Sequence, residues 1–372
     1  MKIERIELIQ VALPLVGDFR TSFGTMSSRD TFLLRLVADS AEGWGEFAGD
    51  PDPLYCSEFA AGAELVLRDQ LIPRVTAGPD ITAAAVGPTV KAVKGHRLAK
   101  AVLETAILDA ELRSHDMSFA TYLGSVHDRV PAGVSVGIMD SLSDLLDAVS
   151  GYLAEGYVRI KLKIEPGWDW EPVRAVREQF GDDLLLQVDA NTAYSLTDAE
   201  HLRRLDEYNL LLIEQPLDAD DMYGHAELAK LIRTPVCLDE SIESASDAAA
   251  AIALGACRVI NVKPARVGGY LEARRIHDVA AAHGVPVWCG GMLETGIGRA
   301  PNLALAALPG FVLPGDTSAS SRYYAEDLTA PFVLENGCVR VPEGPGTGVS
   351  VLPDLLNRFT VSRRELYVRG AN

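Results

Sequence analysis

Between Lys161 and Lys263 the chain is a train of short apolar runs, each closed by a polar or charged residue. In order they read RIKLKI (159–164), LLLQVDAN (184–191), LLLIEQP (210–216), PVCLDES (235–241) and RVINVKP (258–264). Their closing residues Lys163, Asp189, Glu214, Asp239 and Lys263 are separated by 26, 25, 25 and 24 positions, the mark of a repeated supersecondary unit. Helical patterns such as DWEPVRAVREQFG, DAEHLRRLDEYN and SASDAAAAIALGA fill the intervals. Strand and helix alternating at this spacing predict parallel strands joined by crossover helices.

Runs this apolar fit strands covered on both faces. Successive side chains of a strand point to opposite faces. With Ile160, Leu162 and Ile164 turned outward onto helices, Lys161 and Lys163 turn inward together. The same count places Gln187, Asp189 and Asn191 on one face, Cys237, Asp239 and Ser241 on one face, and Asn261 with Lys263. A closed barrel gathers its strand ends into a ring, where barrel enzymes keep their chemistry. A lone Lys-x-Lys is usually a solvated strand face, and one Asp after a strand is usually a helix N-cap. Five consecutive units ending this way are hard to ascribe to chance.

The flanks read differently. Residues 1–50 alternate as strands, and helical patterns dominate from Phe59 to Leu123, so residues 1–123 are predicted to form an α+β capping domain. Two stretches within it, about 17–30 and 49–58, are polar and glycine-bearing. They are candidate lids over a neighbouring site, with Phe19, Phe23 and Tyr55 as their contact residues. The barrel is expected over 124–320, from VPAGVSVGI (130–138), where Ser135 and Gly137 share a face, to GFVLPGD (310–316). In VPVWCGGMLETGIGRA (285–300), Gly290 and Gly291 let backbone approach a ligand, and the helix opening after Leu293 is expected to receive an anion such as a carboxylate. The tail, 321–372, loses the barrel period and is expected to return to the capping domain.

Charge and cysteine content narrow the setting. A net charge of −18 with no basic run excludes nucleic acid and anionic membrane as partners. No apolar stretch is long enough to span a bilayer, and MKIERIELIQ carries charge where a signal peptide needs an apolar core. The five cysteines (56, 237, 257, 289, 338) are scattered, odd in number and without zinc spacing, which predicts reduced thiols and a cytoplasmic location.

Three carboxylates on adjacent strands cannot share a small volume without a counter-charge. Oxygen-only ligands call for a hard cation, Mg²⁺ before others. None of the seven histidines falls at a predicted strand end, which disfavours zinc or iron. A lysine with its ordinary pKa of about 10.4 is a poor base at neutral pH, but a divalent cation and a second ammonium both favour its neutral form. The set therefore suits removal of a proton next to a carboxylate, with Mg²⁺ stabilising the enediolate that forms.

The order KLK (161–163), DAN (189–191), EQP (214–216), DES (239–241), VKP (262–264) and GGMLET (290–295) resembles the enolase superfamily in its muconate-cycloisomerase-like branch. The finer features KIEPGWD, VDANTAY, LLIEQPL, CLDESI, RVGGYLEARRIHD and PVWCGGMLETGIGRA resemble the N-succinylamino acid racemase / o-succinylbenzoate synthase family, over essentially the whole chain. The resemblance implies a (β/α)₇β modified TIM barrel with an α+β cap. It implies Mg²⁺, with Mn²⁺ or Co²⁺ as substitutes, on Asp189, Glu214 and Asp239, and acid/base work by Lys163 and Lys263. It further implies substrate contacts from Ser135, Lys161, Asn191 and the backbone of Gly291, Met292 and Leu293, with a small-molecule carboxylate as partner and a homo-oligomeric state. One departure is PARVGG, where relatives tend to carry glycine at position 265.

Two reactions fit the resemblance. Dehydration to o-succinylbenzoate, on the menaquinone route, needs one base, Lys163, with Lys263 as a cation. Racemisation of an N-succinylamino acid needs a base on each face. Arg266, three residues past Lys263, resembles the second-shell arginine associated with racemase activity; read alone it would be a surface arginine opening a helix. The expectation is a racemase that also makes o-succinylbenzoate. The alternatives are the synthase as sole physiological activity, a dipeptide epimerase, and a muconate cycloisomerase. The epimerase typically carries Asp-x-Asp where this chain reads GDTSAS, with Asp316 and Ser318. A Schiff-base aldolase would have no use for three carboxylates, and a non-catalytic metal-binding barrel would not need the complete lysine set.

Overall fold

The structure, a computed structural model, describes residues 1–371. Alternation in the first forty residues builds a long antiparallel hairpin, Ile3–Thr21 with Gly24–Ala38. Glu42–Glu46 extends this sheet on one side and the C-terminal strand Thr360–Val368 on the other. The helix Arg97–Ser114 lies against it, and Gly43 and Gly45 make that approach possible. A Cβ on Gly43 would fall 2.1 Å from the Ala106 carbonyl oxygen, and one on Gly45 2.2 Å from that of Val102.

The segment 17–30, a candidate lid in the sequence, is the tip of the hairpin. After a bulge between Pro14 and Phe19 the ladder resumes, pairing Phe19 with Met26, Arg20 with Thr25 and Thr21 with Gly24. Its polar residues look like a loop in sequence because the tip leaves its own sheet and reaches the barrel, where the Ile138 N–H donates to the Arg20 carbonyl at 3.0 Å. Residues 49–58 form no strand or helix. The tail divides: Cys338–Arg340 pairs with Arg129–Pro131 at the entrance to the barrel, and Thr360–Val368 pairs with Ile3–Thr21.

Seven parallel strands follow in chain order: Gly133–Val136, Arg159–Lys163, Leu185–Asp189, Ile213–Glu214, Val236–Leu238, Val259–Val262 and Val287–Cys289. Gly310–Asp316 holds the eighth position and touches both edges of this curled sheet. Phe311 bridges Val287 and Gly315 bridges Ala132. The Gly133 N–H donates to the Gly315 carbonyl at 2.8 Å, and the Asp316 N–H to that of Cys289 at 2.9 Å. Pro314 cannot donate, so the closing segment makes isolated bridges rather than a regular strand. Inside, Leu212, Cys237, Val259 and Trp288 fill the barrel below the polar strand ends.

Candidate active site

Strand register brings the charged residues together. Ser135 lies opposite Lys161, Lys163 opposite Asp189, and Asp189 opposite Glu214. Asp239 and Lys263 each follow directly on a strand, Val236–Leu238 and Val259–Val262. Lys163 ends the second barrel strand and Lys263 follows the sixth, half a turn of the eight-membered ring apart.

All of these side chains are buried, and each carboxylate meets a protein cation. Lys163 Nζ lies 2.6 Å from Asp189 Oδ2 and donates to Asn191 Oδ1 at 2.6 Å. Lys161 Nζ lies 3.2 Å from Asp189 Oδ2, 3.0 Å from Glu214 Oε2 and 2.6 Å from Asp316 Oδ2. Lys263 Nζ lies 2.8 Å from Asp239 Oδ2. Asn261 Nδ2 donates to the other oxygen of Glu214 at 2.6 Å. Asp189 and Glu214 thus converge on one positive group, the Lys161 ammonium.

Burial pushes the Asp189 carboxyl upward, but Lys163 and Lys161 outweigh it and hold that group well below the usual carboxylate range. Glu214 is raised by burial and by Asp189 beside it. Burial lowers Lys263, yet the Tyr55 hydroxyl and the carboxylates of Glu240, Glu214 and Asp189 outweigh it and hold the lysine above its ordinary value. A divalent charge on the same carboxylates acts in the opposite direction, toward the neutral amine.

A cavity of about 280 Å³ opens above this layer, walled by both N-terminal segments. Phe19, Phe23 and Tyr55 all line it. Tyr55 reaches furthest: its hydroxyl accepts from Lys263 Nζ at 3.1 Å and lies 3.4 Å from Asp239 Oδ1. Ser135, Lys161, Asn191, Gly291, Met292 and Leu293 line the cavity as well, and Ser135 Oγ is buried with no hydrogen-bond partner among the described residues.

The turn after the seventh strand is partly engaged already. The Met292 N–H donates to Glu294 Oε2 at 2.9 Å, and the Tyr324 hydroxyl donates to the Leu293 carbonyl. The helix that follows, Gly296–Ala306, does not offer its N-terminus to a ligand as expected. Glu46 accepts from the N–H groups of Thr295 and Gly298, and Asp327 from that of Gly296, so the anion at this helix end belongs to the protein.

Arg266 is buried rather than at the surface. Its guanidinium donates to Asp239 Oδ1, to the Ile242 carbonyl at 2.9 Å and to the Asn261 carbonyl at 2.7 Å. It stands behind the carboxylate that Lys263 touches from the other side.

Three charged residues were given no part in the site by the sequence reading. Glu240 accepts from Asn191 Nδ2 at 2.9 Å, and burial pushes its carboxyl up to about 7. Strict alternation assigns it to the face away from Asp239, but the strand has already ended at Leu238, so alternation no longer governs it. Arg159 and Asp316 pair at 2.9 Å beneath Lys161. The same alternation, run two residues back from Lys161, reaches Arg159.

A parallel barrel of this order, capped by an N-terminal region and carrying lysines and carboxylates at its strand ends, defines an enolase-type barrel enzyme. Residues 144–355 match the family described as enolase C-terminal domain-like. The chain is 64% identical over 363 residues to the N-succinylamino acid racemase of an Amycolatopsis species, covering 98% of this chain and 99% of that protein. It is 44% identical over 362 residues to the o-succinylbenzoate synthase of Geobacillus kaustophilus, covering 97% and 96% respectively. The solved structure of an enolase-superfamily member from Listeria innocua Clip11262 superposes with a TM-score of 0.94 at 39% identity, covering 99% of this chain and all of that one. This chain belongs to the enolase superfamily, in the family of N-succinylamino acid racemases and o-succinylbenzoate synthases. It is an enzyme of the isomerase or lyase type, and the superfamily's chemistry at a substrate carboxylate depends on Mg²⁺.

Among the described residues, no group of three or more His, Cys, Asp and Glu side chains is arranged to hold a metal ion. The donor chemistry nonetheless fits one. Asp189 and Glu214 already share a single cation, and every candidate donor is a hard carboxylate oxygen.

Proposed function

We propose that this chain racemises N-succinylamino acids and also dehydrates the cyclohexadiene precursor of o-succinylbenzoate. The observation that carries the reading is the placement of Lys163 and Lys263 at the ends of the second and sixth strands, each against a carboxylate and both lining one cavity. Inversion at a carbon needs a proton removed on one face and returned on the other. Two amines half a turn apart supply those faces.

Asp189, Glu214 and Asp239 are the residues that would hold a divalent cation, Mg²⁺ first among candidates. When bound there it supplies positive charge over the substrate carboxylate, which lowers the cost of withdrawing the neighbouring proton. The protein does the rest. Lys161 and Ser135 orient the carboxylate end, and the cap excludes water through Phe19, Phe23 and Tyr55. Lys163 takes the α-proton and Lys263 delivers one from the opposite side. In the dehydration Lys163 alone is needed as base, and Lys263 remains protonated as a cation beside the developing charge.

Among the described residues no helix is long and apolar enough to cross a membrane. A cytoplasmic, homo-oligomeric enzyme acting on a small carboxylate is the setting we propose.

The test is exchange. Incubated with Mg²⁺ in D₂O, each enantiomer of N-succinylphenylalanine should acquire deuterium at the α-carbon, and EDTA should stop it. The same preparation should convert the menaquinone precursor, and comparing kcat/KM ranks the two activities. An absence of exchange from both enantiomers would refute the racemase reading, and dehydration alone would leave the synthase.

A further inference from the structure

The closing segment of the barrel carries a carboxylate that the reaction above does not use. Asp316 lines the substrate cavity with its side chain only 7% exposed, and sits between two cations of the second strand. Its Oδ1 accepts from Arg159 Nη2 at 2.9 Å, and its Oδ2 lies 2.6 Å from Lys161 Nζ, the shortest of that ammonium's three carboxylate contacts. Arg159 cannot drift. It also donates to the Pro314 carbonyl at 2.9 Å and lies over the Trp288 ring at 5.3 Å. Gly133 leaves it just enough room, since a Cβ there would fall 2.2 Å from the guanidinium carbon.

Lys161 is therefore in a contest. On one side are Asp189 and Glu214, whose oxygens a divalent cation would need, and on the other is Asp316. An ammonium lodged on the first pair competes with a metal for the same lone pairs, and one retained by Asp316 does not.

We infer that Asp316 is a positioning residue that draws the Lys161 ammonium away from Asp189 and Glu214, keeping those carboxylates available to a divalent cation and Lys161 aimed at the substrate. Arg159 fixes the Asp316 carboxylate so that it can do this. The inference rests on the reading that Asp189 and Glu214 hold the cation.

The experiment is calorimetric titration of the full chain with Mg²⁺ alone, without substrate. Asp316→Asn keeps the shape and an acceptor for Arg159 but removes the charge, and its Mg²⁺ dissociation constant should rise on the order of 10-fold, as loss of a near charge implies. The discriminating step is a double-mutant cycle with Lys161→Gln. With the amine gone, Asp316→Asn should lose most of its effect. Equal effects in both backgrounds would overturn the inference, since Asp316 would then act only as bulk negative charge or through the fold. If Asp316→Asn does not fold, Asp316→Glu in the same cycle answers the question, because it retains the charge and should keep Mg²⁺ binding within about 3-fold of the unmodified protein. Larger weakening that persists without Lys161 would again overturn it. If the unmodified chain itself binds no Mg²⁺, the underlying reading of the site fails, which is a different result.

Discussion

Glu46 and Thr295, 249 positions apart, are joined by two hydrogen bonds: the Thr295 N–H donates to Oε1 at 3.0 Å and its hydroxyl to Oε2 at 2.7 Å. A carboxylate of the capping region thus sits on the N-terminus of a barrel helix, where the orphan N–H groups and the helix dipole favour negative charge. Burial still pushes the Glu46 carboxyl up to about 7, against the pull of Arg29 and Thr295. The folded chain then holds a proton that the unfolded chain has released above a pKa of 4.5. Its contribution to stability is complete below that value and is lost as pH rises through about 7. Glu46→Gln cannot titrate. Its stability should depend less on pH between 5 and 8 than that of the unmodified protein, the two diverging by on the order of 2 kcal/mol. Thermal melts across that range decide it, and parallel curves would sink the idea.

Most of the barrel and its site were legible because the physics there is local. A strand buried on both faces must be apolar, so RIKLKI or RVINVKP announces itself and its polar residues mark one face. Lys163, Asp189, Asp239 and Lys263 followed from that count, and Glu214 from its place at the close of LLLIEQP. What was not legible depended on partners distant in sequence. The segment 17–30 is polar because its hairpin tip crosses to the barrel, and nothing within fourteen residues says so. Glu240 is buried because the chain turns at Asp239 and Asn191 reaches it from another strand. The helix at Gly296 was expected to meet a ligand; the carboxyl groups it meets, Glu46 and Asp327, lie in other parts of the chain.

Gly269 tests the packing between cap and barrel. Its φ of 132° is one that side chains rarely adopt, and a Cβ would fall 2.1 Å from Glu104 Oε1. Glu104 is buried and accepts from the Leu271 N–H at 3.1 Å, so it has nowhere to retreat. Gly269→Ala should cost more than about 2 kcal/mol through strain and lost hydrogen bonding together. Gly284, also left-handed at φ 67° but with open space around it, should cost only about 1 kcal/mol as Ala. Denaturant unfolding of the two variants makes the comparison, and equal losses would mean that the Glu104 contact carries no weight.

Tyr55 ties the cap to the chemistry. Its hydroxyl touches Lys263 and approaches Asp239, while its ring lies 4.6 Å from the same ammonium. Tyr55→Phe keeps the ring and removes only the hydroxyl. Racemisation should slow by on the order of 10-fold, as expected for one lost hydrogen bond to a charged group, with the melting temperature almost unchanged. If the Tyr contact serves only to shut the cavity, KM should rise and kcat hold; a fall in kcat for exchange at the Lys263 face identifies the hydroxyl with that lysine.

Arg266 should separate the two reactions. It does not touch Lys263. It grips Asp239 Oδ1, while Lys263 holds Oδ2 at 2.8 Å, so the arginine acts on the lysine through a shared carboxylate. Removing the guanidinium leaves Asp239 with one fewer counter-charge, and the carboxylate then binds the Lys263 proton more tightly. A lysine that must give up its proton in one direction of racemisation is harmed by this, whereas a lysine that serves as a cation is not. Arg266→Gln should therefore lower racemisation kcat/KM by on the order of 100-fold, and dehydration by about 10-fold or less. In the direction in which Lys263 is the base, the low-pH limb of the racemisation pH–rate profile should shift upward in parallel. Matched losses in the two reactions, with unmoved profiles, would reduce Arg266 to a scaffold for the Asn261 and Ile242 carbonyls it also binds.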